Sequence, residues 1–479
     1  MARTPEQNNA IITGSIPRQL LLFFFPIWLG TMFQQLYNTV DTLIVGNFVG
    51  TQALAAVGAT SSFVQLLVGL FVGLCSGAGV IIAQSFGAGD HDEVNRQVHT
   101  ALALAIAGGA ALTVIGLLIS RPVLRLMQTP DEIVGMASEY LQIYFLGMIP
   151  QMIYNMGTNI LRAVGDSKRP LYFLIVASIV NIVLDIVLVA VIPLGVAGAA
   201  IATGASPVVS ALDMGVAGAA AATVLSQVVS AVLTVRCIHG SQGMPWHLQL
   251  KNIRIERNVL LAICRIGLPG AAQSALYSIS NMTIQSAING FGTVAVAAWS
   301  VYGKIDFLFW MTVSSFGIAV TTFAGQNFGA RQYDRVRRGT MTCLAMTAGT
   351  TLCISLALYP SAQLLFRLFS SDDAVVAQGV QMMHYLVPVY MTYICIEIFS
   401  GALRGCGDVR VPTIITVFAV CIMRIVWLAV ALPFKHELSV VEFSYPLTWI
   451  TATVLFAIYY AKGGWMQRCI AAQNAKTQG

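Results

Sequence analysis

A polar stripe interrupts the first long apolar stretch of this 479-residue chain. Its four members are Gln34, Tyr37, Asn38 and Asp41. Spacings of three, one and three residues place them on one face of a helix that has 3.6 residues per turn. An ionisable side chain at the centre of a bilayer costs at least ~2.5–3.5 kcal/mol, so Asp41 needs a reason to be there. The stripe predicts a polar face turned toward the interior of the protein.

A second acidic residue lies in a later apolar stretch, where Asn181 and Asp185 form an i,i+4 pair on one helix face. Carboxylate and amide oxygens are the ligands that hard cations prefer. Two neighbouring carboxylates also favour sharing one proton, because like charges resist joint ionisation. We therefore predict a site for Na⁺ or H⁺ at Asp41, Asn181 and Asp185. The alternative is that the two acids only lock neighbouring helices together.

The composition shows that charged residues are scarce in this chain. Hydrophobic residues make up 57% of the chain and charged residues 10%, against about 45–50% and about 25% in soluble domains. These values exclude a soluble enzyme and a disordered chain, and they predict an all-α polytopic membrane protein. Twelve apolar stretches are long enough to span a bilayer: 19–45, 53–84, 98–120, 137–160, 170–193, 214–235, 259–288, 294–323, 340–360, 379–402, 411–433 and 446–462.

The basic residues predict the orientation. Twenty of the 26 Lys and Arg residues fall at the termini and the even-numbered connections or next to them, whereas the odd-numbered connections hold four. This positive-inside asymmetry predicts that both termini are cytoplasmic. The scatter of basic residues among apolar runs is not typical of a nucleic-acid partner, and none is expected. The nine Cys residues show no metal-binding spacing, and no cofactor is expected.

The chain repeats itself at a separation of 242 residues. LRAVGDSKRP at 161–170 recurs as LRGCGDVRVP at 403–412, and AQSFGA at 83–88 recurs as GQNFGA at 325–330. Six spans in each copy give parallel repeats, which predicts two six-helix lobes around a central cavity. We assign residues 1–240 to the N-lobe, 241–258 to a cytoplasmic linker and 259–479 to the C-lobe.

A local duplication lies within the N-lobe at 195–223. GVAGAAIAT (195–203) returns as GVAGAAAAT (215–223), so Thr203 and Thr223 are competing equivalents. The C-lobe has no counterpart to these extra residues.

The repeat also compares the two lobes. Asp41 corresponds to Asn281 and Asp185 to Trp427, so the C-lobe lacks both acids. Glu397 lies opposite Asn155 in the repeat, and two roles stay open for it: contact with a cationic substrate or the proton cycle, and a structural role. Lys304, Asp306 and Arg424 also lie within predicted spans, where a structural role is favoured. Tyr154 belongs to the same polar stripe as Asn155 and, with Gln34, Tyr37 and Asn38, is a candidate cavity or substrate residue.

Several motifs together resemble the multidrug and toxic compound extrusion (MATE) transporters. They are VDT-x3-G at 40–46, Q-x-FGA after the second span, LR-x-x-GD after the fourth, and the two six-helix halves. The resemblance covers nearly the whole chain. It implies a V-shaped pair of lobes that export organic cations or amphipathic drugs by Na⁺ or H⁺ antiport. It also implies a cation site at Asp41, Asn181, Asp185 and either Thr203 or Thr223.

We therefore expect a multidrug efflux antiporter that works by alternating access and contributes to antibiotic resistance. It is expected to lie in the bacterial inner membrane as a monomer in contact with lipid, and not to be an enzyme. The alternative is a flippase for lipid-linked precursors, which needs a strongly cationic cavity. The chain has no G-x-x-x-x-G-K-[ST] loop, so it does not drive transport with ATP.

Overall fold

The computed structural model describes residues 10–191 and 215–478. Helices make up nearly all of these residues, and no strand occurs among them. A final helix, α13 (Trp465–Gln478), follows twelve spanning helices. These twelve, α1 to α12 in chain order, are Ile16–Val49, Thr51–Ala88, His91–Leu126, Asp131–Leu146 continued as Met148–Ala163, Lys168–Val189, Gly215–His239, Arg257–Asn289, Thr293–Gly329, Tyr333–Phe369, Asp373–Gly405, Arg410–Phe434 and Leu438–Lys462.

The prediction of twelve spans in two six-helix repeats is confirmed, with one difference in α4. Eleven of the helices are individually long and apolar enough to cross a membrane. The remaining helix, α4, is predicted as one span at 137–160, whereas in the structure it starts at Asp131 and breaks at Gly147. A Cβ at Gly147 would lie 2.7 Å from Val224 Cγ2, so the absence of a side chain there lets α4 pack closely on α6. The equivalent part of α10 contains the 3₁₀ turn Val387–Val389.

Each half of the chain has its own apolar core, and α1 reaches both. The core of the second half includes Leu20 and Phe24 from the start of α1. The Phe24 ring stacks on Phe316 of α8, with centroids 4.0 Å apart. One turn on, the Trp28 indole donates a hydrogen bond to Thr312 Oγ1 at 3.1 Å. The later part of α1 packs instead with α4 and α6 of the first half.

Two matching hydrogen bonds connect the repeated motifs of the two halves. Gln84 of α2 donates through Nε2 to the carbonyl oxygen of Gly405, which ends α10, at 2.8 Å. Gln326 of α8 donates in the same way to the carbonyl oxygen of Ala163, which ends α4, at 2.6 Å. The last carbonyls of a helix have no partner within it, so each glutamine satisfies an otherwise free acceptor of the opposite half.

Two glycines of the same motifs allow this contact. A Cβ at Gly87 would overlap the carbonyl of Gln326, and a Cβ at Gly329 would overlap the carbonyl of Gln84. Only glycine lets the two helices approach so closely. We call these two hydrogen bonds and two glycine contacts the reciprocal clasp.

The LR-x-x-GD motifs end α4 and α10. Gly165 and Gly407 provide the turns, with φ of 93° and 89°, in the region that glycine occupies without strain. In the duplicated segment, the second copy starts α6 at Gly215, while the first copy at 195–203 lies outside the described residues.

We expect Gly329→Ala to destabilise the protein by about 1–3 kcal/mol, because the new methyl group would overlap backbone across the reciprocal clasp. The apparent melting temperature of the purified protein in detergent measures this. Gly349→Ala in α9 is the matched control, because nothing lies within 4 Å of its Cβ position. It should leave the melting temperature unchanged or slightly higher, since alanine favours helix. Equal losses in the two variants would contradict the tight contact.

Candidate ion-binding site

The helices α1 and α5 bring the two predicted acids together. Asp41 is half-buried on α1, while Asn181 and Asp185 on α5 are 1% and 0% exposed. The carboxyl groups of Asp41 and Asp185 lie within hydrogen-bonding reach of each other. The i,i+4 spacing places Asn181 on the same face of α5 as Asp185.

Several buried polar atoms of this group have no hydrogen-bond partner among the described residues. They are Asp41 Oδ1, both oxygens of Asp185, and the oxygen and nitrogen of the Asn181 amide. Buried polar atoms are normally paired, and unpaired ones cost free energy. Two carboxylates in contact also repel each other unless a proton or a cation lies between them. The arrangement can therefore hold a proton shared by the two acids, or a small cation bound by four oxygens.

A π-helical stretch follows each acid. Asp185 is the last α-helical residue before the π turn Ile186–Val191, and Asp41 lies one turn before Val45–Val49. Such π turns are rare and often occur at functional sites, because they interrupt the regular hydrogen bonding of the backbone. Both elements that carry the acids are thus locally irregular where the acids meet.

Tyrosines surround the two acids. Tyr37 of the α1 stripe lies close to Gln34, Asp41, Tyr144 and Tyr154. Tyr144 accepts a hydrogen bond from Gln151 at 3.2 Å. These contacts draw part of the α1 and α4 polar stripes together around the acids.

Tyr140 also lies beside the two acids, although the sequence pattern did not indicate it as a site residue. This side chain is 8% exposed and close enough to interact electrostatically with both Asp41 and Asp185. Its ring stacks beside that of Tyr144, with centroids 6.1 Å apart. The i,i+4 spacing of two tyrosines on an apolar helix was the available signal, but spacing alone did not indicate that they face the acids.

Other predicted residues lie outside the acid pair. Gln34 and Asn38 are exposed, and the backbone carbonyl of Asn38 accepts from Thr42 at 2.8 Å. The Tyr154 hydroxyl donates to the Pro170 carbonyl at 3.4 Å. Asn155 is half-buried, and its backbone carbonyl accepts a hydrogen bond from the side-chain amide of Asn159, one turn later.

The fourth predicted ligand is not brought to the acids by a hydrogen bond. The Thr223 hydroxyl is half-buried on α6 and donates to the Ala219 carbonyl at 3.1 Å. Thr203, its alternative, lies outside the described residues.

Glu397 lies in the second half of the chain, on α10. Its Oε2 accepts from the Tyr393 hydroxyl at 3.4 Å, and its side chain fills the space beside Gly317 of α8. Tyr393 itself lines a cavity of ≈ 650 Å³ between α7, α8, α10, α11 and α12. Glu397 therefore lies behind the wall of this cavity and apart from the acid pair.

Comparisons with known proteins agree with the two-part architecture. The profile of the MatE family matches the chain twice, at residues 26–187 and 269–430. A probable multidrug resistance protein of Bacillus subtilis, YoeA, is 27% identical over 455 residues, covering 93% of this chain and 94% of its own. An FAD transporter of Shewanella oneidensis is 24% identical over 380 residues, covering 77% and 78%.

The fold agrees with a solved structure. The outward-facing conformation of a multidrug resistance MATE family transporter superposes with a TM-score of 0.85 at 22% identity, covering 99% of this chain and 100% of that one. The two segments that the family profile matches together make up more than half of the chain, so the protein belongs to the MatE family of multidrug efflux transporters.

Proposed function

We propose that the protein is a secondary active exporter of organic cations and amphipathic compounds, driven by inward movement of Na⁺ or H⁺ at Asp41, Asn181 and Asp185. The observation that carries this proposal is the contact between the carboxyl groups of half-buried Asp41 and buried Asp185, which receive no hydrogen bond at three of their four oxygens. A pair of carboxyl groups in contact is stable when it shares a proton or binds a cation, and unstable when both are ionised without one. Loading and release of the ion therefore change the free energy of this part of the fold.

The reciprocal clasp supports alternating access. It joins the ends of α2 and α8, which the distribution of Lys and Arg assigns to the cytoplasmic side. The same two helices contribute Gln65 and Trp299 to the cavity, nearer their other ends. We infer that this arrangement is closed toward the cytoplasm and open toward the outside, and that export requires the clasp to open and re-form.

The same charge distribution supports a cytoplasmic-membrane location with both termini inside, and we propose that the monomer, surrounded by lipid, is the transporting unit. The names of relatives include multidrug resistance proteins and an FAD transporter, so the cargo within this family is broad. A flippase for lipid-linked pyrophosphates is less well supported. The ≈ 650 Å³ cavity contains one arginine and one aspartate among the described residues, which is too little positive charge for a pyrophosphate.

We expect Asp41→Asn to reduce ion-driven efflux by at least about 10-fold, because a lost charged ligand is worth about 1.4 kcal/mol or more. The measurement is efflux of a cationic dye from proteoliposomes under separately imposed Na⁺ and H⁺ gradients. The gradient that drives the wild type identifies the ion. Asp185→Asn should behave alike, because the two acids act as one unit.

Glu139→Gln is the matched control for these variants. Glu139 is an exposed acid next to Tyr140 on α4, so its loss removes one negative charge from the first half without removing either acid of the pair. Efflux by this variant should equal that of the wild type. Undiminished gradient-driven efflux in Asp41→Asn would refute the proposed coupling site.

We expect Gln84→Ala to expose the cytoplasmic ends of α4 and α10, because the carbonyl of Gly405 loses its donor. Cys406 is adjacent to Gly405 and 3% exposed, so it reports on this opening. In inside-out vesicles, a membrane-impermeant maleimide should modify Cys406 several times faster than in the wild type, as measured by peptide mass spectrometry.

Gln52→Ala, an exposed glutamine at the other end of α2, should leave the Cys406 labelling rate unchanged. If Gln84→Ala and Gln52→Ala label at the same rate, the clasp does not hold that side closed.

A further inference from the structure

The segment that connects α6 and α7, residues 240–256, folds back onto the first half of the chain, and we call it the docked linker. Its Trp246 and Leu248 are 4% and 0% exposed, and both belong to the apolar core of the first half. The Trp246 ring meets that of Phe86 edge to face, with centroids 5.7 Å apart. Phe86 immediately precedes Gly87, so the docked linker lies beside the reciprocal clasp.

Side chains from the start of α3 hold the docked linker by its backbone. The amide nitrogen of Asn95 donates to the carbonyl oxygens of Pro245 at 3.3 Å and His247 at 3.0 Å. Further along, the backbone N–H of Glu256 donates to Thr100 Oγ1 at 3.3 Å. The linker has little regular structure of its own, so its buried backbone groups depend on such side-chain partners.

His99 of α3 makes a contact that depends on its protonation state. The ring is 4% exposed, and Nδ1 lies 2.8 Å from the carbonyl oxygen of Asn95. Nε2 lies 3.0 Å from the backbone nitrogen of Gln249 in the docked linker. A carbonyl oxygen can only accept a hydrogen bond, and a backbone N–H can only donate one. The docked linker therefore requires a neutral ring with its proton on Nδ1.

A second proton on this ring would have no acceptor. An N–H at Nε2 would point at the N–H of Gln249 and leave two buried donors unpaired, which costs free energy. The acids of this face do not offer a counter-charge to the ring, because both of its nitrogens face backbone atoms. The charged groups of this face are Glu93, which pairs with Arg96, Glu256, which pairs with Arg254, and the exposed Asp92, Lys251 and Arg257.

Two more histidines lie where the docked linker meets the end of α6. His239 Nδ1 donates to the carbonyl oxygen of Leu248 at 2.7 Å, and its ring stacks on that of His247 with centroids 5.7 Å apart. His247 Nδ1 is buried and has no partner among the described residues. Two charged rings so close together repel each other. Three of the six histidines of the chain thus lie at this contact, and protonation disfavours docking at both places.

We propose that His99 is a proton-binding site that holds the docked linker at neutral pH and releases it when the cytosol becomes acidic. A histidine in water gains its proton near about pH 6.5. Only the released linker accommodates this proton, because the ring is then hydrated and no longer faces the N–H of Gln249. Docking is therefore stable above that pH and is lost as the pH falls through it.

Release of the docked linker loosens the same side of the molecule as the clasp. The linker leads directly into α7, and Ile263 of α7 lies in the same apolar core as Trp246. A Cβ at Gly77 of α2 would lie 2.6 Å from the Ile263 carbonyl oxygen, so α7 packs tightly on α2. The docked linker thus fixes the start of α7 to the helix that carries Gln84, and its release favours opening of the clasp. This last step rests on the proposed function, whereas the docking of the linker does not.

Hydrogen–deuterium exchange of the full chain in detergent, measured by mass spectrometry on peptides that cover residues 245–256, tests the proposal. Division by the exchange rate of a synthetic peptide of the same sequence at the same pH gives protection factors free of the intrinsic pH effect. We expect protection to fall about 10-fold between about pH 8 and about pH 5.5, because a proton bound only by the released state shifts the equilibrium about 10-fold per pH unit below about pH 6.5. No ion gradient is present, so this result and the proposed coupling fail independently.

Substitutions of His99 separate its protonation from its packing. His99→Gln keeps an acceptor near the position of Nε2 and takes up no proton, so protection should be high and equal at both pH values. His99→Arg carries a permanent charge, so protection should be low at both; if this variant does not fold, the glutamine variant decides alone. His91→Gln, at an exposed histidine on the same helix, is the matched control and should keep the full change with pH.

Three outcomes overturn the proposal. Equal protection of the wild type at both pH values means that no proton releases the linker. A response that persists in His99→Gln and disappears in His247→Gln assigns the proton to the stacked histidines. A response that disappears in Asp41→Asn assigns it to the acid pair.

The link to the clasp has its own measurement. Maleimide labelling of Cys406 in inside-out vesicles is compared between the wild type and His99→Gln at about pH 5.5, where about nine-tenths of free histidine is protonated. Faster labelling of the wild type supports control of the clasp by the linker. Equal rates, with the exchange result intact, show that the released linker does not open the clasp.

Discussion

The reciprocal clasp constrains the relative placement of the two halves, together with the close packing of α2 on α7 at Gly73 and Gly77. Each half ends one helix with an unpaired carbonyl, and each supplies a glutamine that satisfies the carbonyl of the other. The glycines of the same motifs remove the side chains that would keep α2 and α8 apart. Because the fold repeats, one short motif makes the same interaction twice, and the loss of either copy leaves an unsatisfied polar group. The two motifs recur in the sequence because each half needs both a donor and an acceptor.

The two halves share a scaffold and differ in the polar groups that they place on it. The first half holds Asp41 and Asp185 in contact, whereas the second has Asn281 and Trp427 at these positions. The packing role of the equivalent helices is preserved, so these substitutions change the chemistry of the interior and not the architecture. We infer a division of tasks in which one half binds the ion and the other contributes most of the wall of the solute cavity.

The sequence predicted the fold well because the fold depends on local patterns, whereas the ion site at Asp41, Asn181 and Asp185 stays a prediction. Apolar length indicates a span, and the spacing of Asp41 with its neighbours indicates one helix face. The sequence alone could not show which helix faces pack against each other. In the sequence, nothing distinguishes Tyr140 from other tyrosines on apolar helices; only the packing of α4 brings it close to both acids. A structural role is favoured for Arg424 in the sequence because its neighbours along the chain do not indicate a cavity. The sequence likewise does not show that Val224 of α6 approaches Gly147 closely.

The proposed ion site and the proposed solute cavity lie in different halves, and α2 connects the cavity with the clasp. Its residues Gln65, Leu66 and Gly69 close the solute cavity, and its far end forms the clasp through Gln84. A change in the relative position of the halves therefore alters the cavity wall and the clasp together. Coupling requires that each ligand favours one arrangement through contacts that it makes only there. In the proposed mechanism, the α2 wall supplies such a contact for the solute, and the two acids on α1 and α5 supply one for the ion.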